Sequence, residues 1–261
     1  MLERQIDFAK YSSIKLGTKL NIKIAQDIDE ALNLATNHYL IGKVNNIILH
    51  SDGIRIFQLG SEFDYIKDLG DLVEIGARSV SKKVFLYFKK NNLGGVEFLG
   101  SLPGTMGGIA KMNAGMKEYE IKNIIHSICI NGEWQNNEKI NFQYRNSNIN
   151  GVISALRLKK IDGFDSNLEN LFKAMRLNQP KEPSCGSCFK NPPNIPAGKL
   201  LDLAGLKGHR IGNMAFSQKH ANFLINLGSG KSKDAIDLIN MAKSTILKSH
   251  NIMLECEVVI I

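Results

Sequence analysis

A chain of 261 residues is long enough to bury about three quarters of its unfolded surface, so it needs neither a disulfide framework nor a structural metal to fold. With 43% hydrophobic and 22% charged residues it falls among globular chains and outside the disordered and fibrous classes. Four cysteines fit a reducing compartment, and 33 Lys and Arg against 25 Asp and Glu give a net +8 that attracts polyanions; the lysines are scattered, not clustered as in a nucleic-acid-binding arm.

The opening segment, MLERQIDFAK, is charged and has no apolar run, so no secretory leader is read there. No apolar stretch approaches the roughly 18 residues of a membrane helix, and a soluble, cytoplasmic protein is expected. Asp27-Ile28-Asp29-Glu30 ahead of Ala31, Leu32, Leu34 and Ala35 reads as a capping box opening an amphipathic helix. Short apolar runs at 39–41 and 46–49, on either side of Gly42, and at 54–59 and 72–75 predict strands. A helix is predicted over 80–90, with Val80, Val84, Phe85, Leu86 and Phe88 as its apolar face.

From 94 to 115 the chain reads GGVEFLGSLPGTMGGIAKMNAG, dense in glycine and without periodicity. It is expected to be a long loop of the kind that carries function. Strands follow at 124–130 and 152–158, and Ser166 with Glu169 opens a helix running to about 177. Five of the six prolines lie between Pro180 and Pro196 and mark a domain junction or a rigid loop. Pro196 starts a short helix that Gly205 and Gly208 end. A strand at 223–227, a helix over 233–248 and a closing strand at 253–261 complete the chain. The order is mixed α+β, without the regular alternation of a parallel sheet.

Three motifs are set aside. Gly228-Ser229-Gly230-Lys231-Ser232 ends like a P-loop, but the glycine needed five residues before Gly230 is Ile225; a turn into a helix capped by Ser232 is the simpler reading. Cys185-Gly186-Ser187-Cys188 lacks two further zinc ligands at finger spacing, since His209 and His220 are too far apart, and it lacks the strand–helix context of a redox pair. No metal site is expected. There is no G-x-G-x-x-G, so no Rossmann dinucleotide site is indicated.

The segment from Leu102 to Gly108, followed by Asn113-Ala114-Gly115, can turn several main-chain N–H groups toward one anion, because glycine permits both close approach and unusual φ angles. On residues alone it reads equally as a surface loop. Three further segments stand out together: Tyr144-Arg145-Asn146-Ser147, the run from Gly186 to Pro192, and the run from Leu254 to Val258. Singly, Arg145 could be a surface cation, Ser187 a turn residue and Glu257 a strand-edge carboxylate.

In this order, LPGTMGG…MNAG, FQYRNS, PSCGSCFKNP…AGKLLDLAGLKGHRIGNMAFSQKHANFLIN and LECEV resemble the UDP-N-acetylenolpyruvoylglucosamine reductase family, over about residues 11–261. The length, and Arg176 and Pro180 leading into PSCGS, resemble its shorter type II subclass, which lacks a tyrosine-bearing loop over the substrate. The resemblance implies an FAD-binding fold of the vanillyl-alcohol-oxidase (PCMH) type with a smaller substrate-binding domain. The expected boundaries are 1–62 for the first FAD subdomain, with 252–261 returning to it, 63–172 for the second, and 173–251 for the substrate domain. The family's first flavin loop reads G-G-G-S-N where this chain has Gly42-Lys43-Val44-Asn45-Asn46, so the approach to the FAD pyrophosphate is expected to differ locally.

The activity implied is reduction of UDP-N-acetylglucosamine enolpyruvate to UDP-N-acetylmuramate for peptidoglycan, with hydride passing from NADPH through FAD to the enolpyruvyl group. By resemblance, Gly42, Asn45, Asn46, Pro103, Gly104, Thr105, Gly107, Gly108, Asn113, Ala114 and Gly115 contact the cofactor. Arg145 stabilises the charge that develops at the substrate carboxylate, Ser187 donates the proton, and Glu257 acts near the same carboxylate. Glu257 suits that place only if protonated or donating through water, so its pKa is expected to be raised. Tyr144, Arg176, Asn191 and His220 are the substrate-binding candidates, His220 reading equally as a packed core residue. Cys188 is expected to point away from Ser187 and to play no catalytic part. A monomer is expected. Two other readings stand beside this one: a flavoprotein of the same superfamily with another substrate, and a basic nucleic-acid-binding protein without flavin.

Overall fold

The computed structural model describes residues 2–51 and 53–261. The chain divides into two compact units, one made of Met1–Arg4, Asn21–Lys43 and Arg55–Arg176, the other of Gln5–Leu20, Val44–Ile54 and Leu177–Ile261. It therefore switches units repeatedly before residue 55, a partition that no proline or glycine cluster marks. The later switch, after Arg176, falls just before the proline-rich stretch that starts at Pro180.

The first unit holds two larger sheets, besides the two-stranded ribbon of Gly115–Met116 with Tyr119–Glu120. In the smaller, Ile56–Leu59 lies between Lys19–Ala25 and Tyr39–Leu40 and runs parallel to both, with Leu2–Asp7 outermost. The two N-terminal strands are absent from the sequence reading: in Leu2–Asp7 only Ile6 is buried, which leaves no period, whereas Lys19–Ala25 does alternate, at Leu20, Ile22 and Ile24, and was passed over. Helix Ile28–Ala35 follows as expected, with the Asp27 carboxylate accepting the Glu30 N–H and the Glu30 carboxylate reaching back to the Gln26 N–H.

The larger sheet is antiparallel throughout and orders Glu133–Asn136, Ile125–Ile130, Ile153–Lys159, Leu72–Gly76 and Ile66–Asp68. Ile128, Leu156, Leu158, Val73 and Ile75 form its buried face. Helix Ser81–Lys90 lays Val84, Phe85 and Phe88 into the same core, each contributing on the order of 1.5–3 kcal/mol relative to exposure.

Two expectations fail here for physical reasons. The stretch from 94 to 115 is not one long loop: it contains the 3-10 helix Glu97–Ser101 and the α-helix Met106–Lys111, the latter capped by Thr105. Its glycines are packing residues as much as loop residues, since a Cβ on Gly107 would lie 3.0 Å from the Ala77 methyl. Helix Ser166–Arg176 forms, but its cap is Asp165, whose carboxylate accepts the Asn167 and Leu168 N–H groups. Glu169 instead pairs with Lys173 and, across to helix Ser81–Lys90, with Lys89, both at 2.6 Å.

The second unit has its own antiparallel sheet, ordered Ser184–Ser187, Phe223–Asn226, Met214–Phe216 and Arg210–Ile211. Helices Ala197–Leu203 and Ser232–His250 bury Leu200, Leu201, Leu238, Ile239 and Ile246 against Phe189 and Phe216. Ser232 is the first helical residue and not the cap; Lys231 holds the cap position with no side-chain bond to the helix. The closing strand is shorter than expected, only Val259–Ile260, which pairs in parallel with Ile47–Ile48. Among the described residues, no helix is long and apolar enough to cross a membrane.

Candidate active site

The sequence-predicted residues are divided between the two units. In the second unit a β-bulge sets the geometry. Ser184 pairs with Ile225 and Ser187 with Phe223, so three steps on one strand oppose two on the other, and Gly186 takes φ +82° at the extra position. Strict alternation would turn Cys185 and Ser187 to one face. The bulge instead buries both Cys185 and Cys188 and turns Ser187 out of the core. Burial pushes the Cys185 thiol up to about 12 and the Cys188 thiol well above its ordinary value, which leaves both as packed, unreactive groups.

The segment after Ser187 then meets the C-terminal run. Phe189 pairs with Cys256, the Lys190 N–H donates to the Glu255 carbonyl, and the Glu257 N–H donates to the Cys188 carbonyl at 2.9 Å. Lys190 and Glu255 add an ion pair at 2.5 Å. Ser187 and Glu257 are thus placed by the same pair of segments, one residue from the Cys188 carbonyl in one case and bonded to it in the other.

Asn46 closes this cluster: its amide donates to the Glu257 carbonyl at 2.9 Å, and its own carbonyl accepts the Val259 N–H. A residue the sequence reading passed over, Asn222, is buried and holds the segment that follows Ser187. Asn222 receives the Phe189 N–H at 3.0 Å, donates to the Phe189 carbonyl at 2.8 Å, and accepts the Cys188 N–H on its main chain. The signal for it was an asparagine inside the apolar run HANFLIN, a polar side chain that must find partners when buried.

His220 has the packed role. Its Nδ1 accepts the Asn222 N–H, its ring meets Phe223 edge-on at 5.0 Å, and burial lowers its pKa, which keeps the ring neutral. Asn191 is exposed and accepts the Ala197 N–H at 3.0 Å, so it helps to start helix Ala197–Leu203. Arg176 is exposed at the C-terminal end of its helix.

In the first unit Arg145 occupies a two-residue turn closed by two main-chain bonds between Gln143 and Asn146, and takes φ +55°. Its Nη2 donates to the Gly115 carbonyl at 3.1 Å, and its guanidinium lies 4.8 Å from the centre of the exposed Tyr144 ring. Asn113 is wholly buried and both ends of its amide are bonded inside the unit, so any cofactor contact at that position falls to the main chain. The Ala114 carbonyl accepts the Ile121 N–H, and Gly115 pairs with Glu120 so tightly that a Cβ would lie 2.2 Å from the Tyr119 carbonyl.

The glycine-rich turn is also partly committed. The Met106 N–H donates to the Ser79 carbonyl and the Gly107 N–H to the Ala77 carbonyl, while the Gly104 carbonyl accepts the Ser81 N–H. Two N–H groups that the sequence reading offered to an anion are therefore spent on packing the short helix. Thr105 Oγ1 accepts the Gly108 N–H and would lie 2.5 Å from a Cβ on Gly42. Pro103 and Gly108 are exposed beside it.

The loop 42–46 tests whether a flavin dinucleotide fits. Val44 takes φ +53°, a left-handed conformation rare for a β-branched residue, and is buried. The backbone thus keeps the turn that a glycine would make, at a cost on the order of 1–3 kcal/mol. Asn45 donates to Ser13 Oγ, while its buried Oδ1 has no partner among the described residues. A buried acceptor and a strained, close-packed turn are features of a ligand-facing loop, and the hydroxyl-rich part of FAD suits such an acceptor.

A sequence model of the UDP-N-acetylenolpyruvoylglucosamine reductase C-terminal domain matches residues 179–261. The chain is 49% identical to the UDP-N-acetylenolpyruvoylglucosamine reductase of Helicobacter hepaticus, covering 98% of both chains. It is 46% identical to that of Helicobacter pylori strain J99 over the whole of both chains, and 38% identical to that of Campylobacter jejuni strain RM1221 over 98% of this chain and 99% of the other. The crystal structure of the reductase from Thermus caldophilus superposes with a TM-score of 0.86 at 26% identity, over 100% of this chain and 99% of that one. The α+β fold is the one expected for these enzymes, and the chain belongs to the UDP-N-acetylenolpyruvoylglucosamine reductase family.

Proposed function

We propose that this protein reduces UDP-N-acetylglucosamine enolpyruvate to UDP-N-acetylmuramate, with FAD as cofactor and NADPH as reductant, as a monomer in the cytoplasm. The observation that carries the reading furthest is the pairing of the Ser187 segment with the Glu257 segment through the Cys188 carbonyl. It joins two sequence runs some 70 residues apart that the reaction needs in one place.

Loop 42–46 and the turn around Thr105 would hold FAD, which would supply the hydride drawn from NADPH. Hydride added to the methylene carbon of the vinyl ether leaves an electron pair on the neighbouring carbon, delocalised onto the carboxylate. Arg145 stabilises that charge, since a guanidinium matches a carboxylate with two parallel N–H donors. Ser187 Oγ–H delivers the proton to the neighbouring carbon, and the alkoxide left on Ser187 regains a proton from solvent. Glu257 acts near the same carboxylate. Tyr144, Arg176 and Asn191 contribute to holding the nucleotide sugar.

The test is the product formed in D2O with NADPH. The reading requires a gain of two hydrogens, with solvent deuterium on the carbon next to the carboxylate; a product without that deuterium removes Ser187 as the proton donor. A Glu257→Gln variant with wild-type rate and pH profile removes Glu257 from the mechanism.

A further inference from the structure

We infer that Glu120 is a positioning residue for Arg145, held in that role by Asn113. The inference rests on the reading of Arg145 as the residue that grips the substrate carboxylate. Asn113 Nδ2 donates to Glu120 Oε2 and to the Gln143 carbonyl, both at 3.0 Å, and its Oδ1 accepts the Lys122 N–H at 3.3 Å. Gln143 is the base of the turn that carries Arg145, so one buried amide ties Glu120 to that turn.

The other carboxylate oxygen, Glu120 Oε1, faces Arg145 Nη1 at 3.8 Å, with the two side chains only 11% and 16% exposed. Together with the Gly115 carbonyl and the Tyr144 ring, it fixes the plane of the guanidinium. A bidentate match to a carboxylate depends on that plane.

The distances decide how the charges are shared. Lys122 Nζ lies 2.9 Å from Glu120 Oε2, closer than Arg145 at 3.8 Å, so Lys122 and Asn113 take most of the Glu120 charge. Glu120 therefore orients Arg145 without neutralising it. A carboxylate in tight contact with Arg145 would compete with the substrate for the same fork.

The test uses the FAD-loaded protein and two ligands that differ in the carboxylate. UDP-N-acetylmuramate carries it and UDP-N-acetylglucosamine does not. Binding of each is measured by calorimetry for wild type, Glu120→Ala, Glu120→Gln and Glu120→Asp, with flavin content and melting temperature recorded for all four. The expected result for Glu120→Ala is on the order of a 10- to 100-fold loss for the carboxylate ligand, because a misplaced binding group costs that much, with less than about a twofold change for the other. Glu120→Asp recovers part of the loss. Equal weakening of both ligands, or of neither, overturns the inference. If Glu120→Ala does not fold, Glu120→Gln, which keeps the shape and loses the charge, is judged by the same comparison. A wild-type protein that does not favour the carboxylate ligand contradicts the role of Arg145 itself, and so is distinguishable from a failure at Glu120 alone.

Discussion

The side-chain amide of Asn46 donates to the main-chain carbonyl of Glu257 at 2.9 Å, while the Cys188 carbonyl takes the Glu257 N–H at the same distance. Glu257 is thereby clamped on both sides of its peptide. One clamp comes from the loop 42–46, the other from the residue next to Ser187.

Replacing Asn46 with Ala removes one clamp. The expected outcome is a loss of about 1 kcal/mol in unfolding free energy, the net value of one such bond, and a fall in turnover of roughly tenfold. Urea denaturation and steady-state NADPH oxidation check both. An Asn46→Ala protein with wild-type turnover shows that the clamp does not matter to Glu257.

Ser187 and Cys188 are neighbours with opposite fates, and their variants separate them. Ser187→Ala is expected to lower turnover by roughly 100- to 10,000-fold, the usual weight of a positioned proton donor. Cys188→Ala, at a fully buried thiol, is expected to keep turnover within a few-fold and to cost about 1 kcal/mol of stability for the small cavity it leaves. A Cys188→Ala defect as large as that of Ser187→Ala overturns the assignment.

Gly42 has no room for a side chain, because a Cβ would lie 2.5 Å from Thr105 Oγ1. Gly42→Ala is expected to cost about 1–3 kcal/mol from overpacking and to lower the amount of flavin retained through purification. The 450 nm absorbance per mole of protein measures the second effect. Full flavin retention in Gly42→Ala places the cofactor away from this contact.

Much of the molecule could be read before the structure, and each failure has its own physical cause. Helices 28–35, 81–90 and 232–250 carry a strong apolar period and emerged within a residue or two of their bounds. Leu2–Asp7 did not, because an edge strand with one buried side chain has no period to read. The helix Met106–Lys111 was hidden by Gly107 and Gly108, whose low helix propensity is offset by the packing of Gly107 against Ala77 and by the Thr105 cap that takes the Gly108 N–H. For the candidate site, the motifs pointed to Arg145, Ser187 and Glu257. Glu120, Asn113 as a brace, and Asn222 were not, since each acts through a partner distant in sequence and no local pattern announces the pairing.

Glu169 gives a pH-dependent test of the first unit. Hydrogen bonds from Lys173 and then Lys89 hold its carboxyl below the ordinary value, so it binds protons less readily folded than unfolded. The stability it supplies is present above the ordinary carboxylate pKa and is lost as pH falls through the depressed one. Both lysines are well exposed, so Glu169→Gln is expected to cost only about 1 kcal/mol at neutral pH, with the difference shrinking as the solution is acidified. A gap that stays constant from pH 7 to acid contradicts the ion pairs as its source.

The central claim is that this chain carries hydride from NADPH to an enolpyruvyl nucleotide sugar. The visible spectrum of the purified protein, recorded anaerobically before NADPH, after NADPH, and again after UDP-N-acetylglucosamine enolpyruvate, tests it most directly. A yellow flavin band that bleaches with NADPH and returns with the nucleotide sugar is the predicted result. A band that bleaches and does not return, or a protein that takes up no flavin when reconstituted with FAD, contradicts it.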